Sequence, residues 1–438
     1  MSDPAALEPF ERALYAARSY RGDPLAALDE ALAAAPDFAA AHVAKALLLM
    51  TFFERRFARE ALAALDAAQP VLARATPREQ ALGAAARRLA EGDWHGGTAA
   101  LDRVLVEHPR DILALQVAHL MDFYRGDSLN LRNRVSRVLP QWSPSLPGHA
   151  FVLGMHAFGL EECNQYPEAE AAGMRALEAA PDDSWAVHAV THVMEMQGRI
   201  DEGVRFLEAR RGDWAGEDNG FAFHNWWHLA LFHMDGGDHQ AALALYDRVL
   251  AGAHAMAISR VDATALLWRL RLEGVDVGQR FEPLADAWEA DHDREGGFYA
   301  FNDFHSALAF AAAGRRSAIG WLRDALEAAA WDKGANGEMT RLVGIDACEA
   351  AVAFCEGVYT RAVERLLAVR DIAVRFGGSH AQRDLLTLTL IEAARRAGQP
   401  GLAAHFARER LVHKPASRWG RRLIERVAGA QQPLAHAA

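Results

Sequence analysis

Prolines recur along the first half of the chain at nearly constant intervals. Pro36, Pro70, Pro109, Pro147 and Pro181 are separated by 34, 39, 38 and 34 residues. Between them, Ala, Leu, Glu and Arg fill stretches whose apolar residues have helical spacing. Because a proline cannot continue a helix that has just ended, each interval predicts two helices followed by a turn. One such pair cannot bury its own apolar face, so neighbouring pairs must stack.

A period in the mid-thirties is typical of tetratricopeptide-type helical hairpins. The segments "GDPLAALDEALAAAPD" and "QYPEAEAAGMRALEAAPDD" carry small residues where two helices would touch, and Asp37 or Asp183 is the expected cap of the next helix. We therefore predict an all-α, strongly curled solenoid of stacked hairpins. The expected divisions are N-terminal hairpins over residues 1–90, a solenoid that carries the polar motifs over 91–430, and a tail at 431–438.

The bulk composition limits the partners of the chain. Its 47 basic and 58 acidic residues give a net charge of −11, which disfavours nucleic acid and anionic membranes. No window approaches 18 uninterrupted apolar residues, and the N-terminus lacks the apolar core of a signal peptide.

Three cysteines leave one unpaired, so we expect a cytoplasmic protein. Only Lys45, Lys333 and Lys414 are lysines, a bias that we attribute to a GC-rich genome.

Histidines are concentrated in the middle of the chain, with nine of the 19 between residues 149 and 254. His188 and His192 are four residues apart, as are His224 and His228, so each pair would share one helix face in the manner of zinc-binding helices. We expect all four either to bind a divalent metal, which could be zinc, iron or manganese, or to act as general acid/base groups, with Glu195 nearby. The alternative is that these imidazoles only pack between helices and bond to carbonyls or carboxylates.

A second polar cluster lies in "EGGFYAFNDFHSALAF", where Asn302, Asp303 and His305 begin a predicted helix. The functional interpretation is that Asp303 orients His305 or binds a substrate amine. The alternative is that Asp303 only stabilises the start of the helix.

A third cluster, "GGSHAQRDLL", places His380, Arg383 and Asp384 in the first turn of another helix. His380 and Arg383 are close enough to contact one anion, and arginine suits a carboxylate or phosphate. The alternative is an ordinary helix start with Ser379 as the N-cap. Elsewhere, Asp262 has apolar neighbours in the sequence and would be costly to bury without a partner.

Together, six ordered segments resemble the tetratricopeptide repeat protein 38 family over roughly residues 90–420. They are "HAVTHVMEMQGRIDEGVRFLE", "FHNWWHLALFH", "LYD", "DATALLWRLRLEG", "FNDFHSALAF" and "GSHAQRDLL". The resemblance implies a helical-repeat fold and points to the same polar residues, but it brings no settled reaction.

We therefore expect an enzyme or small-molecule-binding protein with a polar pocket in the concave face, with or without a metal. Hydrolysis and oxidation both stay open. The expected roles are catalysis by Glu195, Asp303 and His305; substrate binding by Asn225, Trp227, Asn302, His380, Arg383 and Asp384; and metal binding by His188, His192, His224 and His228. The alternative function is a scaffold that binds a peptide or partner protein in its groove. A third hypothesis is a purely structural oligomer. A homodimer formed through the ends of the solenoid is compatible with all three hypotheses.

Overall fold

The described part of the chain is built from helices alone. The structure, a computed structural model, describes residues 4–252, 254–291 and 295–429. Within these ranges the strand-type pairing is limited to an isolated bridge between Arg21 and Asn219. The predicted tail at 431–438 lies outside the described residues.

The α-helices follow one another with short connections. Those of the first half are α1 (Pro4–Ser19), α2 (Pro24–Ala34), α3 (Ala39–Leu49), α4 (Arg55–Ala67), α5 (Gln69–Leu72), α6 (Pro77–Ala90), α7 (Trp94–Glu107), α8 (Ile112–Tyr124), α9 (Ser128–Val138), α10 (His149–Glu161), α11 (Tyr166–Ala179), α12 (Ser184–Gln197) and α13 (Ile200–Ala209). Those of the second half are α14 (Arg211–Trp214), α15 (Ala222–Gly236), α16 (His239–Leu245), α17 (Ala257–Leu272), α18 (Phe281–Ala290), α19 (Ala300–Ala312), α20 (Arg316–Ala330), α21 (Ala335–Met339), α22 (Ile345–Cys355), α23 (Tyr359–Val369), α24 (His380–Arg396), α25 (Pro400–His413) and α26 (Arg418–Gly429).

Consecutive helices pack as hairpins, most extensively α1 with α2, α6 with α7, α10 with α11, and α22 with α23. The predicted fold class, an all-α tetratricopeptide-like solenoid, is confirmed. π-helical turns at Tyr246–Leu250 and Thr340–Gly344 and 3₁₀ turns at Met50–Phe52, Leu139–Gln141 and Arg370–Phe376 extend or join these helices.

The prolines that suggested the repeat have two kinds of position. Pro36, Pro109 and Pro181 each follow the end of a helix, as predicted, after α2, α7 and α11. Pro70 instead lies in the first turn of α5, where the missing N–H costs nothing, and Pro147 lies just before α10. The interval therefore counts hairpins correctly although two of its markers lie at helix starts.

Small residues allow the close helix contacts that the sequence suggested. A Cβ at Gly159 of α10 would lie 2.6 Å from the carbonyl oxygen of Leu131 in α9. At Gly203 of α13, a Cβ would lie 2.2 Å from the ring of Phe232 in α15. Any larger side chain would push these helices apart, so glycine is required at both positions.

The chain forms two compact units. The first comprises residues 1–190, 211–222 and 333–336, and the second comprises 191–210, 223–332 and 337–438. The division falls inside α12, between Val190 and Thr191. The expected boundary near residue 90 stays a prediction.

Side-chain caps account for several helix starts. Asp183 accepts hydrogen bonds from the backbone N–H groups of Trp185 and Ala186, both at 3.0 Å, and so caps α12 as predicted. Asp37 is not the N-cap of α3, because that position is held by Phe38 without a side-chain bond. Ser379 caps α24 in a reciprocal capping box with Gln382.

No helix among the described residues is both long and apolar enough to cross a membrane.

The buried cap Asp183 makes a prediction about pH. Burial raises the pKa of Asp183 from 3.8 to about 8, so between these values the folded chain holds a proton that the unfolded chain releases. The proton retained on Asp183 stabilises the folded chain. This stabilisation is fully present below pH 3.8 and is lost as the pH rises through about 8. The Asp183→Asn variant keeps an oxygen for the helix N–H groups but cannot ionise. We expect its thermal midpoint to fall less than that of the wild type between about pH 5 and pH 9.

Asp23→Asn is the control, because Asp23 caps α2 through Leu25 and Ala26 at an exposed position of the same unit. Its midpoint should follow the pH dependence of the wild type. If thermal unfolding gives Asp183→Asn that same dependence, the interpretation of Asp183 is wrong.

Candidate functional site

Three of the predicted metal-binding histidines meet in the interior of the second unit. His192 lies on α12, whereas His224 and His228 lie one turn apart on α15. The ring centroids of His192 and His228 are 4.5 Å apart, and those of His224 and His228 are 4.8 Å apart. One nitrogen atom of each ring lies within 4.8 Å of the others. We call these three residues the histidine cluster.

Each histidine of α15 is held by a buried carboxylate. Nδ1 of His224 lies 2.6 Å from Oδ2 of Asp262 on α17, and Nδ1 of His228 lies 2.8 Å from Oε2 of Glu195 on α12. Since a carboxylate accepts, Nδ1 of each ring donates, which leaves Nε2 with a lone pair when the ring is neutral. Asp262, which would be costly to bury unpaired, has His224 as a partner.

Burial decides the charge states in this cluster. It holds the pKa of His228 well below its usual value, with the neighbouring His192 adding to the effect, so the ring is neutral at pH 7. Burial alone would raise the pKa of Glu195, but the Lys414 ammonium and the bond to His228 outweigh it and hold that pKa well below its usual value. Burial raises the pKa of Asp262, and His224 offsets only part of the effect.

A chain of buried charges continues from Glu195 to the C-terminal helices. The Lys414 ammonium donates to Oε1 of Glu195 at 2.9 Å and lies 3.7 Å from Oδ2 of Asp384 on α24. Arg410 of α25 donates to both oxygens of Asp384, at 2.7 and 2.8 Å. These pairs satisfy charges that would otherwise be costly in the interior. Residues about 190 positions apart in the sequence therefore belong to one network.

An aromatic and a guanidinium group pack beside the cluster. The indole of Trp227 stacks on the ring of His224 with 5.3 Å between centroids. The Arg269 guanidinium lies 5.3 Å from the centroid of a Trp227 ring and donates to the carbonyl oxygens of Ala265 and Ala381. Trp227 has no exposed surface, so it supports His224. Its predicted contact with substrate stays a prediction.

Asp235 fixes the last helix. It accepts hydrogen bonds from the Ser417 hydroxyl and from the backbone N–H groups of Arg418 and Trp419, at 2.6, 2.7 and 3.0 Å. Its carboxylate therefore caps α26 and belongs to the structural frame.

His188, the fourth predicted ligand, belongs to the first unit. There its ring centroid lies 4.9 to 5.2 Å from those of Phe158, Trp185 and Phe221. These contacts are those of a packed aromatic side chain, and its role as a metal ligand stays a prediction.

The prediction that Asp303 orients His305 is wrong. Nδ1 of His305 bonds instead to the carbonyl oxygen of Phe301, one turn earlier on α19, at 2.8 Å. Asp303 accepts from the backbone N–H of Gly297 at 3.0 Å, and so stabilises the chain that enters the helix. The helix geometry explains the error, because residues two apart lie on different faces. Asn302 and Asp303 line a separate small cavity of about 30 Å³, where their substrate roles stay predictions.

His380 and Arg383 do lie together, with 3.2 Å between Nδ1 and the guanidinium, and Arg383 also bonds to the carbonyl oxygen of Gly378. Asn225 is fully buried on α15. Binding of an anion or another substrate by these residues stays a prediction.

Residues outside the predicted set complete the network, above all Lys414, Arg410 and Arg269. Lys414 carried a signal in the sequence, because it is one of three lysines in a chain whose other basic residues are arginines. The two arginines carried none, since nothing in the sequence distinguishes them from the exposed ones.

The similar solved structures are helical-repeat proteins, and no family model matches the chain. The crystal structure of the APC/C hetero-tetramer Cut9–Hcn1 matches at 12% identity and a TM-score of 0.44, covering 92% of this chain and 72% of that one. The human IFIT1 dimer with m7Gppp-AAAA matches at 12% identity and a TM-score of 0.43, covering 99% and 96%. The P58(IPK) TPR domain matches at 16% identity and a TM-score of 0.20, covering 90% and 98%. These likenesses carry no conclusion about function, and the resemblance to the tetratricopeptide repeat protein 38 family stays a prediction.

The position of Lys414 predicts a large loss of stability when its charge is removed. In Lys414→Met, the carboxylates of Glu195 and Asp384 lose a buried cation, while the methionine fills a similar volume. We expect the free energy of unfolding of the second unit to fall by about 3–5 kcal/mol in urea denaturation.

Arg418→Met is the matched control, because Arg418 pairs with Asp201 between largely exposed side chains of the same unit. The urea midpoint of Arg418→Met should stay near that of the wild type, because an exposed ion pair contributes little to stability. If Lys414→Met and Arg418→Met unfold at the same urea concentration, the proposed contribution of Lys414 to stability is wrong.

Proposed function

We propose that this helical-repeat protein is a scaffold whose second unit binds a basic segment of a partner protein. The observation that carries the proposal is Trp331, whose side chain is 84% exposed beside an open groove of about 450 Å³. A large aromatic side chain at such a groove is the kind of residue that anchors protein interfaces. Helical repeats also characteristically offer extended surfaces for partners.

The groove has an apolar floor between two helices. Leu326 and Ala330 come from α20, Trp331 follows directly after it, and Ile345 begins α22. Leu326 is buried, whereas Ala330 and Ile345 are half-buried. This floor can accept the aliphatic part of a long side chain next to the indole.

The charges of the groove favour a cation in the partner. Arg323 is paired with Glu349 at 2.6 Å, and Arg341 donates to the carbonyl oxygens of Ala330 and Asp332, so both groove arginines are engaged. Glu327, in contrast, forms no ion pair among the described residues and is exposed. An indole beside a carboxylate suits an arginine or lysine side chain, and the net charge of −11 favours the approach of a basic segment.

The hypothesis of a polar enzyme pocket has one specific observation in its favour, the bond between His224 and Asp262. A histidine held by a carboxylate is a common general base. His192 and His228 have no exposed surface, however, so a substrate would have to enter the interior of the unit. For this reason we place partner binding first.

Selection of random peptides displayed on phage against the full chain tests the scaffold. We expect the selected peptides to carry Arg or Lys next to an apolar residue. Trp331→Ala should weaken their binding by at least about tenfold, as for a central interface residue. Glu327→Gln should weaken it by about two- to fivefold, as for a partly exposed ion pair.

Val412→Ala is the control, because Val412 is an exposed apolar residue of the same unit outside the groove. It should bind the selected peptides like the wild type. The proposal fails if no peptide is enriched, or if Trp331→Ala binds as tightly as Val412→Ala.

A further inference from the structure

We propose that His192, His224 and His228 bind a zinc ion inside the second unit, with Asp262 and Glu195 as the carboxylates that orient two of the rings. This inference does not depend on peptide binding at Trp331. It concerns residues of the second unit alone, on the C-terminal part of α12 and on α15 and α17.

The spacing of the nitrogen atoms is close to that of a zinc site. Imidazole nitrogens bind zinc at about 2.0–2.1 Å, so two of them on a tetrahedral ion are about 3.4 Å apart. In the histidine cluster the three donor atoms already lie within 4.8 Å of one another. Contraction onto an ion therefore needs these nitrogen atoms to approach one another by about 1 Å.

The hydrogen bonds prepare the rings for a metal. A zinc-bound histidine usually donates its other ring N–H to a carboxylate or carbonyl, which fixes the tautomer and raises the basicity of the ligand. His224 and His228 show this arrangement through Nδ1, with Asp262 and Glu195 as acceptors. In the neutral rings, Nε2 is then the atom that carries the lone pair.

The charge around the cluster also calls for a cation near Asp262. Glu195 has a cation partner in Lys414, at 2.9 Å. Asp262 has no exposed surface and forms no ion pair with lysine or arginine among the described residues. Its side chain bonds to His224, and Gln382 and the more distant charge of Arg269 also act on it. An ionised carboxylate in the interior is costly without a positive partner. A zinc ion on His224 supplies positive charge next to Asp262.

Zinc is favoured over harder ions by the donor set. Three neutral imidazoles suit zinc, whereas magnesium and calcium prefer oxygen ligands. Three protein ligands leave a fourth position for water or another donor.

Titration of the metal-free full chain with zinc alone, by calorimetry, tests the proposal. We expect one high-affinity zinc ion per chain, and a higher thermal midpoint with zinc than after addition of a chelator. His224→Ala and His228→Ala should lose the site. Asp262→Asn, which keeps the volume of the side chain, should bind zinc about 10–100-fold more weakly.

His305→Ala is the matched control, because His305 is a fully buried histidine of the same unit that bonds to a carbonyl oxygen. It should keep the zinc affinity of the wild type even if it unfolds more easily. Cobalt(II) in place of zinc should give the intense visible bands of a tetrahedral ion. A wild-type chain that binds no zinc, or equal zinc affinity in Asp262→Asn, His224→Ala and the wild type, would overturn the proposal.

Discussion

The buried contact of Lys414 with Glu195 and Asp384 is the interaction on which the second unit most depends. It joins residues from α12, α24 and the end of α25, although Glu195 and Lys414 are 219 positions apart in the sequence. Through Glu195 it also fixes His228, and through Asp384 it fixes Arg410. A buried ion pair of this kind adds little net stability over apolar packing, but loss of one partner is severe. We infer that its main effect is to specify one arrangement of these helices.

The histidine cluster follows from that arrangement. α15 carries two histidines on one face because they are four residues apart, and α12 presents His192 to them. The carboxylates of Asp262 and Glu195 then select the Nδ1–H tautomer of the two α15 rings. The neutral ring of His228, the Nδ1–H tautomers of the two α15 rings and the lack of exposed surface at His192 and His228 suit a bound metal ion and leave little room for a substrate. The exposed groove at Trp331 has the opposite properties, and we therefore assign partner binding to it.

Much of the fold could be predicted from the sequence, whereas the site could be predicted only in part. Proline intervals and helical periodicity indicated the hairpins because both act locally, and Asp183 and Ser379 were recognisable as caps from their positions. The i,i+4 histidine pairs were visible for the same reason. Contacts between distant helices were not visible, so Arg410 and Arg269 were missed. Asp303 was assigned to His305 by proximity in sequence, although two residues along a helix point in different directions.

A double-mutant cycle on Lys414 and Glu195 tests this account most directly. The free energies of unfolding of Lys414→Met, Glu195→Gln and the double variant would be measured in urea. If the two side chains form the link described above, the double variant should be more stable than the sum of the single losses predicts, with a coupling energy of about 2–3 kcal/mol. Additive losses, within about 0.5 kcal/mol, would contradict the central place given to this contact.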